Sequence, residues 1–214
     1  PLPEQGENRM DFEKEAAVWD AEPRRVKLAQ DVAEAIIREL QPAKEQDALD
    51  FGCGTGLVTL RLQSLVRSIT GVDSSPGMLA VLRDKVKKQG LTNVRTQFVD
   101  FERGGEVKGR FNLLVSSMAM HHVDDTAALL RLWFELLLPG GRLGVADLDT
   151  EDGSFHVDHT GVYHQGFERS EVQALLEEAG FGEVRTTTAT SVVKNVAGQG
   201  PRKFTVFLLT GVKH

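Results

Sequence analysis

Hydrophobic and polar residues follow two different periods along this chain of 214 residues. Between Pro23 and Pro42 the apolar residues recur every three or four positions, which predicts an amphipathic helix. A shorter helical pattern around residues 12–19 precedes it. From residue 47 onwards, short apolar runs of the strand type alternate with helical patterns. The predicted strands are 48–51, 68–72, 94–99, 111–116 and 142–146, and the predicted helices are 57–65, 76–90 and 125–138.

The segment 149–167 interrupts this alternation, because it is polar, rich in histidine and without a clear period. A helix with the capping-box spacing of Ser170 and Gln173 follows it. Two β-rich stretches, 183–193 and 203–210, close the chain as a predicted hairpin. Strands that alternate with helices indicate a parallel sheet with helices on both faces, and the hairpin adds an antiparallel C-terminal strand. The pattern therefore predicts a doubly wound, mostly parallel seven-stranded α/β fold.

Length and composition narrow the class of protein. The hydrophobic fraction of 41% and the charged fraction of 26% are ordinary for a globular domain. We expect a single domain over residues 10–214, with N-terminal helices and a cap loop at about 149–167. Residues 1–9 are polar and aperiodic, and we interpret them as a tail or a cloning remnant before Met10.

Charge and cysteine content bear on partners and location. The net charge of −6 disfavours binding to nucleic acid, whose phosphates an acidic surface repels. The single cysteine, Cys53, excludes an intrachain disulfide and suits a reducing compartment. No apolar stretch approaches the ~18 residues that a membrane span needs, so we expect no membrane insertion and a cytoplasmic location. The oligomeric state stays open.

A glycine-rich loop between the first strand and the next helix is the main candidate ligand site. It contains Gly52, Gly54 and Gly56 and follows the acidic Asp50. Ligands of open α/β sheets bind beyond the carboxyl ends of the strands. A dinucleotide fingerprint would need a small residue where Leu57 stands, and a carboxylate suits an ammonium group better than a pyrophosphate. The loop thus favours a nucleoside with an ammonium group over a dinucleotide.

Two further carboxylates follow strands of the same predicted edge. Asp73 ends the second strand about 20 residues after the loop, where a carboxylate usually binds a ribose diol. Asp100 ends the third strand, where it can accept a hydrogen bond from the exocyclic amine of adenine, and Phe101 can pack on the purine face. The spacing predicts an adenosine-binding site.

These motifs together resemble class I S-adenosylmethionine-dependent methyltransferases, which have a Rossmann-like fold. The likeness is closest to the type 11 group, which includes ubiquinone and menaquinone biosynthesis methyltransferases. It covers about residues 12–211, and the segments that carry it are 48–56, 71–79, 98–100, 111–115 with 118–123, and 137–143.

The resemblance implies S-adenosylmethionine as cofactor, S-adenosylhomocysteine as product and a small molecule as methyl acceptor. By this resemblance, Asp50 supports the ammonium group, Asp73 binds the ribose and Asp100 binds the adenine amine. The full set of implied cofactor residues is Trp19, Asp50, Gly52, Gly54, Gly56, Asp73, Ser74, Met78, Asp100, Phe101, Ser116 and Ser117.

Methyl transfer from a sulfonium is an in-line displacement that needs alignment, exclusion of water and, for some acceptors, a base. Histidine titrates near neutrality, so His122 and His164 are candidate bases or acceptor-positioning residues. His121, His156 and Tyr163 are candidate substrate residues. The sequence leaves open whether these histidines are ordinary loop residues.

The sequence allows three other interpretations. A metal site built from the histidines and Asp158 of the cap loop would have an irregular ligand spacing, so no metal is predicted. A nicotinamide-dependent oxidoreductase is disfavoured by Leu57, and a non-catalytic protein that binds S-adenosylmethionine is compatible with every motif. The acceptor, and whether its oxygen, nitrogen, carbon or sulfur is methylated, are not determined by the sequence.

Overall fold

A computed structural model describes residues 12–214. The helices are α1 (Phe12–Glu15), α2 (Pro23–Leu40), α3 (Leu57–Leu62), α4 (Pro76–Lys88), α5 (Thr126–Leu136) and α6 (Arg169–Glu178). The strands are β1 (Asp47–Phe51), β2 (Ser68–Asp73), β3 (Val94–Phe98), β4 (Phe111–Ser117), β5 (Leu137–Leu148), β6 (Gly182–Val196) and β7 (Gly200–Val212). Short 3₁₀ turns, including Ala16–Ala21 and Met120–His122, join them. The prediction for residues 1–9 lies outside the described residues.

The seven strands form one sheet with the order β3-β2-β1-β4-β5-β7-β6. Strands β1 to β5 pair in parallel, whereas β7 pairs antiparallel with both β5 and β6. This arrangement confirms the predicted mostly parallel α/β sheet with its antiparallel C-terminal strand. The carboxyl ends of β1, β2 and β4 therefore meet at one edge, and the strand order changes direction between β1 and β4.

Both faces of the sheet are covered, and alternate strand residues point to opposite faces. Leu113 joins one apolar cluster with α2 and α3 residues such as Ile36, and Leu114 joins the other with α5 residues such as Trp133. All four side chains are buried. This double burial explains why the central strands are continuous apolar runs, and it makes the sheet a rigid support for the loops at its edge.

Two sequence-based boundaries are wrong. Strand β5 begins at Leu137, not at residue 142, because the Gly140-Gly141 turn pairs with the chain end: Gly140 N–H donates to the Lys213 carbonyl at 2.6 Å. Helix α6 begins at Arg169 with Glu168 as its N-cap, so Ser170 does not form the predicted capping box. Pairing with a distant part of the chain therefore sets the start of β5.

The predicted cap loop runs irregularly from the end of β5 to α6. It leaves and rejoins the sheet beside an isolated bridge between Asp149 and Phe167. Arg169 closes the loop with two hydrogen bonds to the Asp149 carboxylate, at 2.6 and 2.7 Å. Within residues 12–214, no helix has the length and apolar character that a membrane span requires.

Candidate active site

A cavity of about 740 Å³ opens at the carboxyl edge of the sheet. That volume lies within the ~300–1,000 Å³ of typical small-molecule sites. Its walls come from the glycine loop, the ends of β2 and β4, the N-terminal segment and the cap loop. The predicted residues that line it are Trp19, Asp50, Gly52, Gly54, Asp73, Ser74, Met78, Asp100, Phe101, Ser117, His121, His122, His156 and Tyr163.

The glycine loop needs glycine for two different reasons. Gly52 has a φ of +72°, and a Cβ there would lie 2.4 Å from the Cβ of Ala119. Gly54 has a φ of +52°, but nothing lies within 4 Å of the position that its Cβ would take. A side chain at Gly54 would therefore project into free space at the cavity wall, which leaves a cradle for a ligand. This cradle fits the predicted cofactor.

Gly56 does not line the cavity, in contrast to the sequence-based expectation. It is the left-handed residue that precedes α3, with a φ of +83°. A Cβ at this position would lie 2.3 Å from the Leu82 Cδ1 atom. The third glycine of the loop therefore allows α3 to begin against α4, and its role is packing.

The Asp73 carboxylate holds the loop in place. Its Oδ2 atom accepts a hydrogen bond from the Gly54 N–H at 2.7 Å, and its Oδ1 atom accepts one from the Ser75 N–H at 2.9 Å. The Ser75 hydroxyl in turn accepts a bond from the Met78 N–H at 3.1 Å and caps α4. One carboxylate thus links the glycine loop to the start of α4, and both of these parts line the cavity.

Asp50 is a second carboxylate at the loop, and it is buried. Burial, and to a smaller degree repulsion from Asp73, raises the pKa of Asp50 to about 7, although the hydrogen bond from the Thr59 hydroxyl (2.6 Å) opposes this shift. A cationic ligand group beside it would favour its ionised form. An ammonium group bound beside Asp50 would therefore lower the pKa of this carboxyl and convert it to its ionised form.

The N-terminal segment closes one side of the cavity through contacts that the sequence patterns did not indicate. The Thr55 hydroxyl donates to the Asp20 carboxylate at 2.6 Å. Lys85 donates to the Thr55 carbonyl at 2.8 Å and forms an ion pair with Asp20. Beside them, the Arg25 guanidinium lies 3.9 Å from the ring centre of Trp19. The contacts of Asp20 join the 3₁₀ turn to the glycine loop, and only their distances in the folded chain reveal them.

The two serines after β4 have different positions. Ser117 lines the cavity, as expected. Ser116 is buried, does not line it, and donates its hydroxyl to the Phe51 carbonyl at 2.9 Å. Successive side chains of a strand point in opposite directions, so the two cannot both face a ligand. Ser116 instead links β4 to the end of β1.

Three neighbouring imidazole rings also line the cavity, and we call them the histidine wall. The ring centres of His121 and His122 are 4.1 Å apart, and that of His156 lies 5.0 Å from His121. His121 Nδ1 forms a 2.6 Å hydrogen bond with Asp147, a fully buried residue of β5 that no sequence motif singled out. A lone acidic residue in an apolar strand was the available signal. The fold brings the cap loop, the β4 turn and β5 together here.

Burial keeps two of these rings neutral. Burial and the neighbouring His121 lower the pKa of His122 to about 4, and the Nδ1 of His122 donates to the Gly161 carbonyl at 2.7 Å. Burial, followed by repulsion from His121 and His122, lowers the pKa of His156 to about 3. Near pH 7 both rings therefore offer polar contacts without a charge.

His164 lies outside the cavity wall, which does not support the sequence-based role for it. Its Nε2 atom hydrogen-bonds to the carbonyls of Val123 and Asp124 at 3.0 and 3.2 Å, and its ring packs on Phe167 with centres 5.0 Å apart. These contacts fasten the cap loop to the β4–α5 connection. Among residues 12–214, no three His, Cys, Asp or Glu side chains are grouped so as to hold a metal ion.

Comparison with known families agrees with this geometry. Residues 48–141 match a family model described as a methyltransferase domain. An uncharacterized methyltransferase of Schizosaccharomyces pombe is 33% identical over 146 residues, which cover 61% of this chain and 51% of the relative. A ubiquinone biosynthesis O-methyltransferase of Xanthomonas axonopodis pv. citri is 29% identical over 130 residues, covering 60% and 54%. The chain therefore spans about half the length of these curated relatives.

Solved structures share the fold. A protein solved in complex with the Haloferax volcanii methyltransferase activator Trm112 matches with a TM-score of 0.76 and 17% identity over 96% of this chain and 99% of its own. Phosphoethanolamine N-methyltransferase 2 of Haemonchus contortus, solved with S-adenosyl-L-methionine, matches with a TM-score of 0.70 and 15% identity over 95% and 60%. These structures therefore share the fold of this chain, and residues 48–141 are similar to a methyltransferase domain.

Proposed function

We propose that this protein binds S-adenosylmethionine and transfers its methyl group to a small-molecule acceptor, releasing S-adenosylhomocysteine. The observation that carries the proposal is that Gly54, Asp50 and Asp73 line one cavity together with the histidine wall. Such a cavity holds a cofactor and a second molecule side by side. The ubiquinone biosynthesis relatives suggest an organic small molecule as that second ligand.

Each carboxylate has a distinct task in this proposal. Asp73 holds the Gly54 backbone and offers the remaining lone pairs of its oxygens to the ribose, and Asp100 faces the adenine beside Phe101. Asp50 balances the ammonium group. The cofactor supplies a methyl group that is already activated on a sulfonium, so the protein needs mainly to align the acceptor and exclude water. The N-terminal segment, held by the Asp20–Thr55 hydrogen bond, covers the cavity against water.

Two measurements test this proposal. Calorimetry is expected to show binding of S-adenosylhomocysteine and none of NAD. An extract of small metabolites incubated with the protein and methyl-labelled S-adenosylmethionine is expected to yield a labelled small molecule. Binding of NAD alone would overturn the assignment, and cofactor binding without any labelled product would favour a non-catalytic binding protein.

A further inference from the structure

A lysine of the C-terminal hairpin, Lys194 of β6, lines the cavity. Its Nζ atom donates a hydrogen bond to the Phe155 carbonyl of the cap loop and lies 4.2 Å from the centre of the Phe155 ring. An ammonium group has three N–H donors, so this bond leaves two of them for other partners. Among residues 12–214, no Asp or Glu side chain forms an ion pair with Lys194. Lys194 is therefore a cation of the cavity wall without an acidic partner in the described chain.

The charges around Lys194 are unfavourable to an isolated ammonium group. Burial, followed by repulsion from Arg24 and Arg25, lowers the pKa of Lys194, and two acids oppose this shift more weakly. Both arginines also line the cavity, but each has an acid of its own: Arg24 pairs with Glu22 and Arg25 with Glu15, each at 3.0 Å. Lys194 thus adds one uncompensated positive charge to the cavity of a chain whose net charge is −6. A bound anion would favour its charged form.

The surroundings of Lys194 separate it from the proposed cofactor residues. The charged groups that act on it do not include Asp50, Asp73 or Asp100, whereas Asp73 does act on Asp50. Charge interactions weaken with distance, so this lysine lies apart from those three carboxylates. Its contact residue Phe155 instead lies beside the histidine wall, because the ring centres of Phe155 and His156 are 4.9 Å apart. An anion at Lys194 would therefore belong to the second ligand of the cavity.

Flat side chains line the same cavity. They are Phe12, Trp19 and Phe155, together with the rings of the histidine wall. Phe12 connects these groups, since its ring centre lies 5.3 Å from that of His122 and 6.0 Å from that of Trp19. Aromatic rings pack well against other aromatic rings, edge-on or with an offset. The cavity therefore suits a ligand with a flat, unsaturated body.

We propose that the methyl acceptor is an aromatic compound with a carboxylate, and that Lys194 selects it by pairing with that carboxylate. This inference rests on the proposed function. One uncompensated cation balances one negative charge, which favours a carboxylate over a phosphate monoester, whose charge is about −1.5 to −2 at pH 7. The carboxylate anchors the acceptor and is not the group that is methylated, so the product keeps its negative charge. Lys194 is a specificity-determining residue and takes no part in the displacement at the methyl carbon.

The test compares cinnamate with cinnamamide, which have the same flat aromatic body and differ in charge. Calorimetry on the protein loaded with S-adenosylhomocysteine is expected to show at least tenfold tighter binding of cinnamate. Lys194→Gln removes the charge and is expected to bring the two affinities within twofold of each other. The same variant is expected to bind S-adenosylhomocysteine within twofold of the unchanged protein.

Lys203→Gln is the matched control. Lys203 is an exposed lysine of β7, pairs with Val193 in the same hairpin and does not line the cavity. Because neighbouring strand residues point to opposite faces, its side chain lies on the other face of the hairpin from that of Lys194. This variant is expected to keep the tenfold preference for cinnamate.

The labelled product of the metabolite-extract assay supplies a second readout that needs no variant. It is expected to be an anion that an anion-exchange resin retains at pH 7. With the acceptor so identified, Lys194→Gln is expected to raise KM at least tenfold and to leave kcat within threefold, as loss of a binding contact does.

Several outcomes would overturn this inference. They are equal or absent binding of the two probes by the unchanged protein, a preference for cinnamate that persists in Lys194→Gln, and a labelled product without a negative charge. A tenfold loss of S-adenosylhomocysteine affinity in Lys194→Gln would also overturn it, because the lysine would then bind the carboxylate of the cofactor. Failure of the unchanged protein to bind S-adenosylhomocysteine would overturn the proposed function instead.

Discussion

The Asp73 carboxylate accepts a hydrogen bond from the backbone N–H of Gly54 at 2.7 Å, across 19 residues of sequence. The glycine loop is therefore held open by an acid from the neighbouring strand before any ligand binds. This preorganisation lowers the entropy that a ligand must lose on ordering the loop.

Asp73→Ala is expected to weaken S-adenosylhomocysteine binding at least tenfold, which corresponds to about 1.4 kcal/mol. It removes both the ribose acceptor and the bonds that hold Gly54 and Ser75. Calorimetry measures the affinity, and Asp84→Ala, an exposed acid of α4, is the control. Equal affinities for the two variants would show that the ribose binds elsewhere.

Gly52→Ala is expected to destabilise the protein by about 1–3 kcal/mol and to impair cofactor binding. The new methyl group would overlap Ala119, and the positive φ adds strain. Gly90→Ala is the matched control, because Gly90 also has a positive φ (+63°) but has nothing within 4 Å. Urea denaturation compares the two variants. A cost for Gly90→Ala that equals that for Gly52→Ala would mean that backbone strain, not the Ala119 contact, explains the effect.

The affinity for S-adenosylhomocysteine is expected to increase about tenfold from pH 6 to pH 8. Asp50, whose pKa is raised to about 7, becomes ionised over this range and then attracts the ammonium group. The bound ammonium in turn lowers the pKa of Asp50, so binding near neutrality releases protons, which calorimetry in two buffers measures.

Two variants test the assignment of this pH dependence. Asp50→Asn is expected to remove it. Thr59→Val is expected to move its midpoint to higher pH, because the Thr59 hydroxyl stabilises the ionised form of Asp50. If the affinity of Asp50→Asn still depends on pH, another titratable group causes that dependence.

Lowering the pH from 7 to 4 is expected to destabilise the fold of His156→Gln less than that of the unchanged protein, by about 1–3 kcal/mol. The pKa of His156 is lowered to about 3 in the folded protein, below the ordinary value of 6.5. The unfolded chain then binds more protons below pH 6.5, so acid destabilises the folded state through this residue. Denaturation at the two pH values measures the effect, with His214→Asn as control. If His156→Gln and His214→Asn lose the same amount of folding stability between pH 7 and pH 4, the buried, neutral state of His156 is contradicted.

The sequence alone determined the sheet and its ligand edge. Buried parallel strands need continuous apolar residues, and a tight strand–helix loop needs glycine, so both leave local patterns. Asp50, the glycine loop, Asp73 and Asp100 lie at the ends of predicted parallel strands, so the sequence also places them at the same edge of the sheet. All but two of the predicted cofactor residues line the cavity, since residues at the ends of parallel strands must meet at one edge.

Only the tertiary structure decided which side chains of that edge face the cavity. Gly56 and Ser116 lie one or two positions from cavity residues, but helix packing and strand alternation turn them away. The Asp147–His121 pair joins residues 26 positions apart, and backbone hydrogen bonds from the cap loop hold the same histidine. Local periodicity reports burial and secondary structure, whereas contacts between distant segments depend on how the elements pack. The different surroundings of His121, His122 and His164 could therefore be recognised only in the folded chain.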